Sequence, residues 1–262
     1  MKKIASIIKE IDADIINLVE VENLKTLNYF NNNFLQGQGY MPFLTDGKDT
    51  FTGQDVALLT RYKPIEFKRW DVEGTSNGIE KGVSKNYYCT FSFHDTDIAL
   101  IAVHFLARPT DESRLHKRQA QADAINKLCI KLQNQGNLII ALGDFNDFDP
   151  DVPDINNHKP ITNVIRQIKQ VDPQKTDDDL VNVATFLPEI QRYTAHWDMD
   201  KEQDVDTNEL SSLDHIFVSP KLTTYLDTVS ILQHFNPLLV SDHFPVILNL
   251  DFRKNKSPES AL

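Results

Sequence analysis

Two short polar motifs adjoin apolar runs and carry side chains suited to phosphoryl chemistry. In LIIALGDFND, Asp144 and Asn146 follow a hydrophobic segment, and residues two apart point to the same side of an extended chain. A carboxylate beside a carboxamide can orient a water molecule and donate a hydrogen bond to a phosphoryl oxygen. Asp and Asn also favour turns, so the motif by itself fits a plain turn equally well.

The second motif is LLVSDHFPVIL, where Asp242 and His243 precede an apolar segment. A histidine there can act as an acid or base toward a phosphate, and the aspartate beside it is a suitable metal ligand. A capped strand start with an exposed histidine is the alternative. In SSLDHIFVS, Asp214 could hold an imidazole in one tautomer, whereas His215 would point to the opposite side and is interpreted as structural.

Two further candidates end apolar runs. Glu20 closes IINLVE, and Mg²⁺, which binds one or two carboxylates together with waters and substrate phosphates, could be anchored there. A lone glutamate in such a position is otherwise simply solvated. His104 ends IALIAVH and, considered alone, is more typical of a hydrogen-bonded histidine at a strand end.

The acidic segment DMDKEQDVDTNE matches most positions of a calcium-binding loop. Its candidate ligands are Asp198, Asp200, Glu202, Asp204, Asp206 and Glu209. Gln203 stands where that loop requires glycine, and no clear helix precedes the segment. A solvated acidic loop is therefore the favoured interpretation, with Ca²⁺ binding as the alternative.

Strands with helices between some of them must position these residues. The spacing of Ile4, Ile7, Ile8 and Ile11 predicts a short helix, and residues 23–34 and 113–135 predict two more. Residues 37–53 and 149–179 are expected to be rich in loops, with helix only near 161–168. The predicted strands are IINLVEV, VALLT, NYYCTFSFH, IALIAVHF, NLIIALGDF, RYTAHW, LDHIFVS, TVSILQ and PVILNLDF. This pattern favours an α/β sandwich.

The length of 262 residues suits a single domain over 1–253 with a flexible tail over 254–262. A net charge of -11 disfavours broad affinity for polyphosphates but does not exclude a nuclease, because metal ions invert the local charge. The basic RLHKR at 114–118 suits a solvated helix face. Cys89 and Cys129 are interpreted as buried small hydrophobes.

Neither a membrane-spanning run nor the apolar core of a signal peptide is evident in the sequence. We therefore expect a soluble protein without a membrane anchor. A monomer is the expected oligomeric state. Its compartment is not legible from the sequence: the cytoplasm fits, and so does secretion if a signal peptide has been lost.

Six segments in order resemble the endonuclease/exonuclease/phosphatase (deoxyribonuclease-like) superfamily. They are ADIINLVEVEN, DVALLTRYKP, AVHF, LGDFND, YTAHW with LDHIFVS, and SDHFPV. The resemblance implies a four-layered α/β/β/α sandwich of two mostly antiparallel sheets flanked by helices, and hydrolysis of a P–O bond that depends on Mg²⁺ or Mn²⁺. Members of this superfamily begin with a strand that carries a metal-binding asparagine. No residue before Glu20 matches it, and Asn17 lies inside the later strand, so that first strand is expected to be missing.

The resemblance also assigns roles to the residues that adjoin the predicted strands. Glu20 would be the principal metal ligand, completed or supported by Asp242. Asp144 would position or deprotonate the attacking water, and Asn146 would hold this water and a phosphate oxygen.

Two histidines would face the phosphate. Asp214 would orient His243, which would contact the scissile phosphate and stabilise its growing negative charge. His104 would be the second phosphate-facing histidine, with Asp55 as its orienting acid.

The expected substrate is nucleic acid. Bacterial sequences with similar DVALL, YTxxW and LDHI segments are usually described as nucleases or general phosphodiesterases. A phosphatase or phosphodiesterase acting on a small or lipid phosphoester is one alternative. A non-catalytic binding protein that kept the fold after losing the first strand is the other.

Overall fold

Four α-helices and fifteen β-strands form the part of the chain that this computed structural model describes, residues 1–48, 52–171, 175–199, 201–202 and 204–253. The helices are α1 (Lys2–Ile11), α2 (Leu24–Phe34), α3 (Leu115–Asn134) and α4 (Val164–Lys169). The strands are β1 (Ile15–Val21), β2 (Met41–Leu44), β3 (Asp55–Thr60), β4 (Glu66–Lys68), β5 (Gly74–Ser76), β6 (Ile79–Lys81), β7 (Lys85–Phe93), β8 (Thr96–His104), β9 (Leu138–Asp144), β10 (Val181–Asn182), β11 (Ala195–His196), β12 (Leu210–Ser211), β13 (Asp214–Val218), β14 (Leu226–Ile231) and β15 (Val246–Leu250).

The largest sheet has six strands in the order β10-β13-β9-β8-β7-β4. Its strands β8 and β9 are parallel, joined by the long crossover that contains α3, and the other neighbours are antiparallel. These two strands are almost continuous apolar runs, because helices cover one face and a second sheet layer covers the other.

The second layer consists of two separate sheets on the same face of the six-stranded sheet. The sheet β1-β3-β2 packs through Val56 and Leu58 against Leu100 of β8. The hairpin β14–β15 packs through Val246 against Ile98 of the same strand. The expectation of two mostly antiparallel sheets is therefore confirmed, with the difference that one of the two layers is divided. Among the described residues, β1 and β15 each have a strand neighbour on one side only.

Helices cover the outer faces and complete the four predicted layers. α1 and α2 pack on the three-stranded sheet, with Ala5, Ile8 and Leu27 buried at that interface. α3 and α4 pack on the outer face of the six-stranded sheet. Between the layers, the hydroxyl of the fully buried Tyr87 on β7 donates a hydrogen bond to Asn17 Oδ1 on β1, at 3.1 Å.

Most predicted elements are present, and the exceptions are short strands. The segment 37–53 contains β2, which was not expected, and the hairpin β5–β6 was also missed. RYTAHW forms a strand only at Ala195–His196. The predicted tail over 254–262 lies outside the described residues, as do Asp200 and Gln203 of the acidic segment. Within the described part of the chain, no helix is both long and apolar enough to cross a bilayer.

Candidate active site

The polar residues singled out in the sequence meet at one edge of the sandwich. In the parallel pair β8–β9, His104 stands opposite Asp144, and in the antiparallel pair β13–β9, Asp214 stands opposite the same Asp144. Glu20 lies at the carboxyl end of β1, and His243 precedes β15. Strand direction therefore gathers side chains that are far apart in sequence.

Asp144 and Asn146 form one rigid unit. The Asn146 backbone N–H donates to Asp144 Oδ1, and its side-chain amide donates to Asp144 Oδ2, both at 2.8 Å. Asn146 adopts a left-handed backbone with φ of 49°, which this residue type tolerates better than most. Gly143 has φ of 128°, and a Cβ there would lie 2.1 Å from the Val103 carbonyl oxygen. The motif thus requires glycine before the aspartate.

Asp214 and His243 form the second unit. His243 Nδ1 lies 2.7 Å from Asp214 Oδ2, so the carboxylate fixes the ring and leaves Nε2 for a ligand. The buried Thr194 holds this pair in place: its hydroxyl accepts the Asp214 backbone N–H at 2.9 Å, and its carbonyl accepts the Phe244 N–H at 2.7 Å. A backbone bridge joins Ala195 to His243.

The ionisable groups perturb one another strongly. The charge of Asp214 raises the pKa of His243 to about 10, so the imidazole is protonated at neutral pH. Burial, reinforced by the charge of Asp214 and in smaller measure by that of Glu20, raises the pKa of Asp144 to about 7, while the charge of His243 lowers it. A carboxyl group whose pKa lies near neutrality is well matched to accept a proton from water.

The two predicted metal ligands are exposed. Glu20 has φ of 60° at a bulge in β1 between Leu18 and Val21, which turns it out of the regular strand. A strained backbone at a candidate ligand is a common property of functional sites. The Asp242 backbone carbonyl accepts the His196 N–H at 2.8 Å, and its carboxylate charge acts on His243.

His104 and Asp55 lie at the same edge. His104 is buried, with Nε2 at 3.5 Å from Asp144 Oδ2. Asp55 Oδ1 accepts the Gly47 backbone N–H at 2.7 Å, and burial raises the pKa of the Asp55 carboxyl. The role of Asp55 as the orienting acid of His104 stays a prediction.

The donor chemistry of this edge fits a hard divalent cation. Among the described residues, no three His, Cys, Asp or Glu side chains are grouped closely enough to form an all-protein cage. Mg²⁺ does not need one, since it keeps several waters and uses one or two carboxylates. Burial is the main cause of the raised pKa of Asp144, and the negative charges of Asp214 and Glu20 add to it, so a cation bound at this edge would favour the ionised carboxylate.

Arg118 is a component of the site that the sequence interpretation missed. RLHKR was assigned to a solvated helix face, but Arg118 is fully buried and lies 2.9 Å from Asp147 Oδ2. It also donates to the carbonyl oxygens of Asn146 and, at 2.7 Å, Pro109. Its position was detectable, because it shares the apolar face of α3 with the buried Ala122.

Three other interpretations are now resolved. His215 is structural, as expected: it is buried, and its Nε2 lies 2.9 Å from the Asp147 carbonyl oxygen. Glu209 corrects the interpretation of the acidic segment as wholly solvated, because it is buried, and its carboxylate accepts the Met199 N–H at 2.6 Å and lies 3.0 Å from His196 Nε2. As predicted, Cys89 and Cys129 are buried and unpaired.

Comparisons with known proteins agree with this architecture. The profile of the Endonuclease/Exonuclease/phosphatase family matches residues 1–243. A 3′ phosphatase, NExo, from Neisseria, bound to a product DNA hairpin, superposes with a TM-score of 0.68 at 19% identity, covering 95% of this chain and 93% of that one. TDP2 of D. rerio, complexed with a single-strand DNA product, gives a TM-score of 0.53 at 15% identity over 92% and 87%. A family protein of Leptotrichia buccalis gives 0.63 at 19% identity over 95% and 91%. A comparison with curated protein sequences gave no match.

Proposed function

Because the chain belongs to the Endonuclease/Exonuclease/phosphatase family, we propose that it is a divalent-metal-dependent phosphodiester hydrolase whose substrate is DNA or RNA. The observation that carries the proposal is the convergence of two hydrogen-bonded pairs, Asp144 with Asn146 and Asp214 with His243, at one edge of the sandwich. The first pair suits activation of water, and the second suits a phosphate oxygen.

The chain's own groups can activate the attacking water and stabilise part of the negative charge that develops during in-line attack. Asp144 accepts a proton from the attacking water, while Asn146, whose amide donates to Asp144, holds that water through its side-chain oxygen. His243 donates from Nε2 to the phosphate as negative charge grows, since Asp214 occupies its other nitrogen. His104 adds a second imidazole on the far side of Asp144.

Glu20 and Asp242 are the proposed ligands of Mg²⁺ or Mn²⁺, with Ca²⁺ as an alternative ion. A cation held there would polarise a phosphoryl oxygen and offset charge on the leaving oxygen. Nucleic acid is favoured as substrate because two of the superposed proteins hold DNA products. At 19% and 15% identity, these similarities support the fold alone, so the identity of the substrate is part of the proposal.

The test is an activity panel on purified protein freed of metal with EDTA. Mg²⁺, Mn²⁺ or Ca²⁺ is then restored, and plasmid DNA, RNA, bis-p-nitrophenyl phosphate and p-nitrophenyl phosphate are offered. We expect Asp144→Asn and His243→Asn to lose at least about a hundredfold in turnover. The matched controls Asp97→Asn and His94→Asn change exposed residues at the opposite end of the sandwich and should retain full activity.

Each outcome separates the possible functions. Near-normal turnover in both site variants would refute the assignment of these residues. Hydrolysis of p-nitrophenyl phosphate alone would favour a phosphatase, and inactivity of a folded, metal-loaded protein on all four substrates would favour a binding protein. Unchanged activity after EDTA treatment would contradict the metal requirement.

A further inference from the structure

Trp197 exposes a large aromatic ring beside the candidate active site. It is 73% exposed, although tryptophan is on average a well-buried residue. Its backbone is nevertheless fixed, because its N–H donates to the Glu209 carbonyl oxygen at 3.0 Å. The preceding His196 is buried, with Nε2 at 3.0 Å from the buried Glu209 carboxylate. The ring is thus a solvent-facing group on a rigid support.

A cleft of about 530 Å³ separates this ring from the loop that leads into His243. One wall is formed by His196, Trp197 and Asp198, and the other by residues 237–242. The two walls are joined where the His196 N–H donates to the Asp242 carbonyl oxygen at 2.8 Å. The cleft is therefore continuous with the candidate active site.

The spacing between Trp197 and His243 suits neighbouring parts of one nucleotide. Ala195 is bridged to His243, and Trp197 stands two residues further along, about 7 Å in extended backbone. A phosphate at His243 and a base at Trp197 would be separated by the sugar that links them.

The residues that line the cleft favour an uncharged, flat ligand over an anionic one. Leu239 is 63% exposed and lines the same cleft as the Trp197 ring, so the cleft offers apolar surface to a flat, uncharged group. The carboxylate of Asp198, next to Trp197 in the lining of the cleft, repels a second phosphate or an anionic membrane surface. A nucleobase has the required π face and no charge, and every base can stack on an aromatic side chain.

We propose that Trp197 is a stacking platform for the unpaired nucleobase that adjoins the scissile phosphate. The proposal rests on the proposed function, since it assigns the phosphate to His243, and it adds a substrate preference. Single strands and unpaired ends should bind better than paired duplex, because only an unpaired base can leave its own stack and enter the cleft.

Kinetics on a short oligodeoxythymidine test the platform. Trp197→Ala should raise KM about 5- to 150-fold, the loss expected for one base–aromatic stack, with kcat little changed. Trp197→Phe should restore most of the affinity. The matched control Phe186→Ala, which truncates an aromatic side chain that is 49% exposed elsewhere, should leave KM unchanged. An oligonucleotide with an abasic spacer at the scissile position should be equally poor for the parent and for Trp197→Ala.

Fluorescence supplies a readout that does not need turnover. In the Asp144→Asn variant, oligodeoxythymidine should quench the emission of Trp197, and Trp197→Phe in that background should remove the quenching while Trp70 still emits. Cleavage by the parent with an unchanged KM in Trp197→Ala would overturn the platform and leave the proposed function standing. Quenching without any cleavage of nucleic acid would overturn the function and keep the platform. Absence of both would overturn both, and quenching by phosphatidylcholine vesicles instead of oligonucleotide would identify a lipid occupant and overturn the platform.

Discussion

Replacing Arg118 by methionine removes a guanidinium from a fully buried position behind the candidate site. In the parent, Arg118 lies 2.9 Å from Asp147 Oδ2 and donates to the carbonyl oxygens of Pro109 and Asn146. Methionine has a similar length but no donor, so the variant leaves a buried carboxylate without its counter-charge. The perturbation removes a contact to the backbone of Asn146 but leaves the side chains of the proposed reacting residues unchanged.

The magnitude follows from the balance between burial and pairing. Burial lowers the pKa of Arg118 and raises that of Asp147, so desolvation outweighs mutual attraction for both groups. Such a pair contributes little net stability as a unit, yet removal of one partner costs about 3–5 kcal/mol. We expect Arg118→Met to lower the free energy of unfolding by that amount. Adding Asp147→Asn removes the orphaned charge and should recover about 1–3 kcal/mol.

Urea unfolding at pH 7, followed by tryptophan fluorescence and circular dichroism, measures these differences. Arg166→Met is the matched control, because its ion pair with Asp151 is at the surface and the expected loss is about 1 kcal/mol or less. The reasoning is refuted if Arg118→Met is as stable as the control, or if the double variant is less stable than Arg118→Met alone.

Two further predictions concern the packing around the site. Gly143→Ala should lower the free energy of unfolding by about 3 kcal/mol or more, because its Cβ would lie 2.1 Å from the Val103 carbonyl oxygen and the residue has φ of 128°. The control Gly78→Ala, where φ is 75° and no atom lies within 4 Å of the added Cβ, should lose about 1–2 kcal/mol. Equal losses for the two variants in urea unfolding would contradict the argument. Burial raises the pKa of the Cys129 thiol to about 12 and also raises the pKa of Cys89. Ellman's reagent at pH 8 should therefore label the two thiols only after denaturation. Rapid labelling of the folded protein would show that these thiols are not packed as described.

The candidate site could be predicted because its residues adjoin strands that are recognisable in the sequence. β8 and β9 are long apolar runs, and the polar residues that end them, His104 and Asp144, fall at one edge as a geometric necessity of parallel pairing. The pairing of Asp214 with His243, whose residues are 29 positions apart, needed the resemblance to a known family as well.

The missed elements depend on tertiary contacts. The hairpin β5–β6 has too few apolar residues to signal a strand, and its position is set by close packing of Gly74 on α3, where a Cβ would lie 2.0 Å from the Ala120 carbonyl oxygen. β2 contains Pro42, which argues against a central strand but is tolerated at the sheet edge that β2 occupies. Arg118 was missed because a charged side chain was assumed to be solvated.

The bond between Tyr87 and Asn17 links the two halves of a divided site. Glu20 belongs to the three-stranded sheet, whereas Asp144 belongs to the six-stranded sheet. Apolar packing between the sheets resists their separation but has no preferred direction along the interface, so it tolerates sliding. A directional hydrogen bond from β7 to β1 opposes such sliding. This hydrogen bond therefore helps to hold the proposed metal ligand Glu20 and the water-activating carboxylate of Asp144 at a fixed distance during thermal motion of the two sheets.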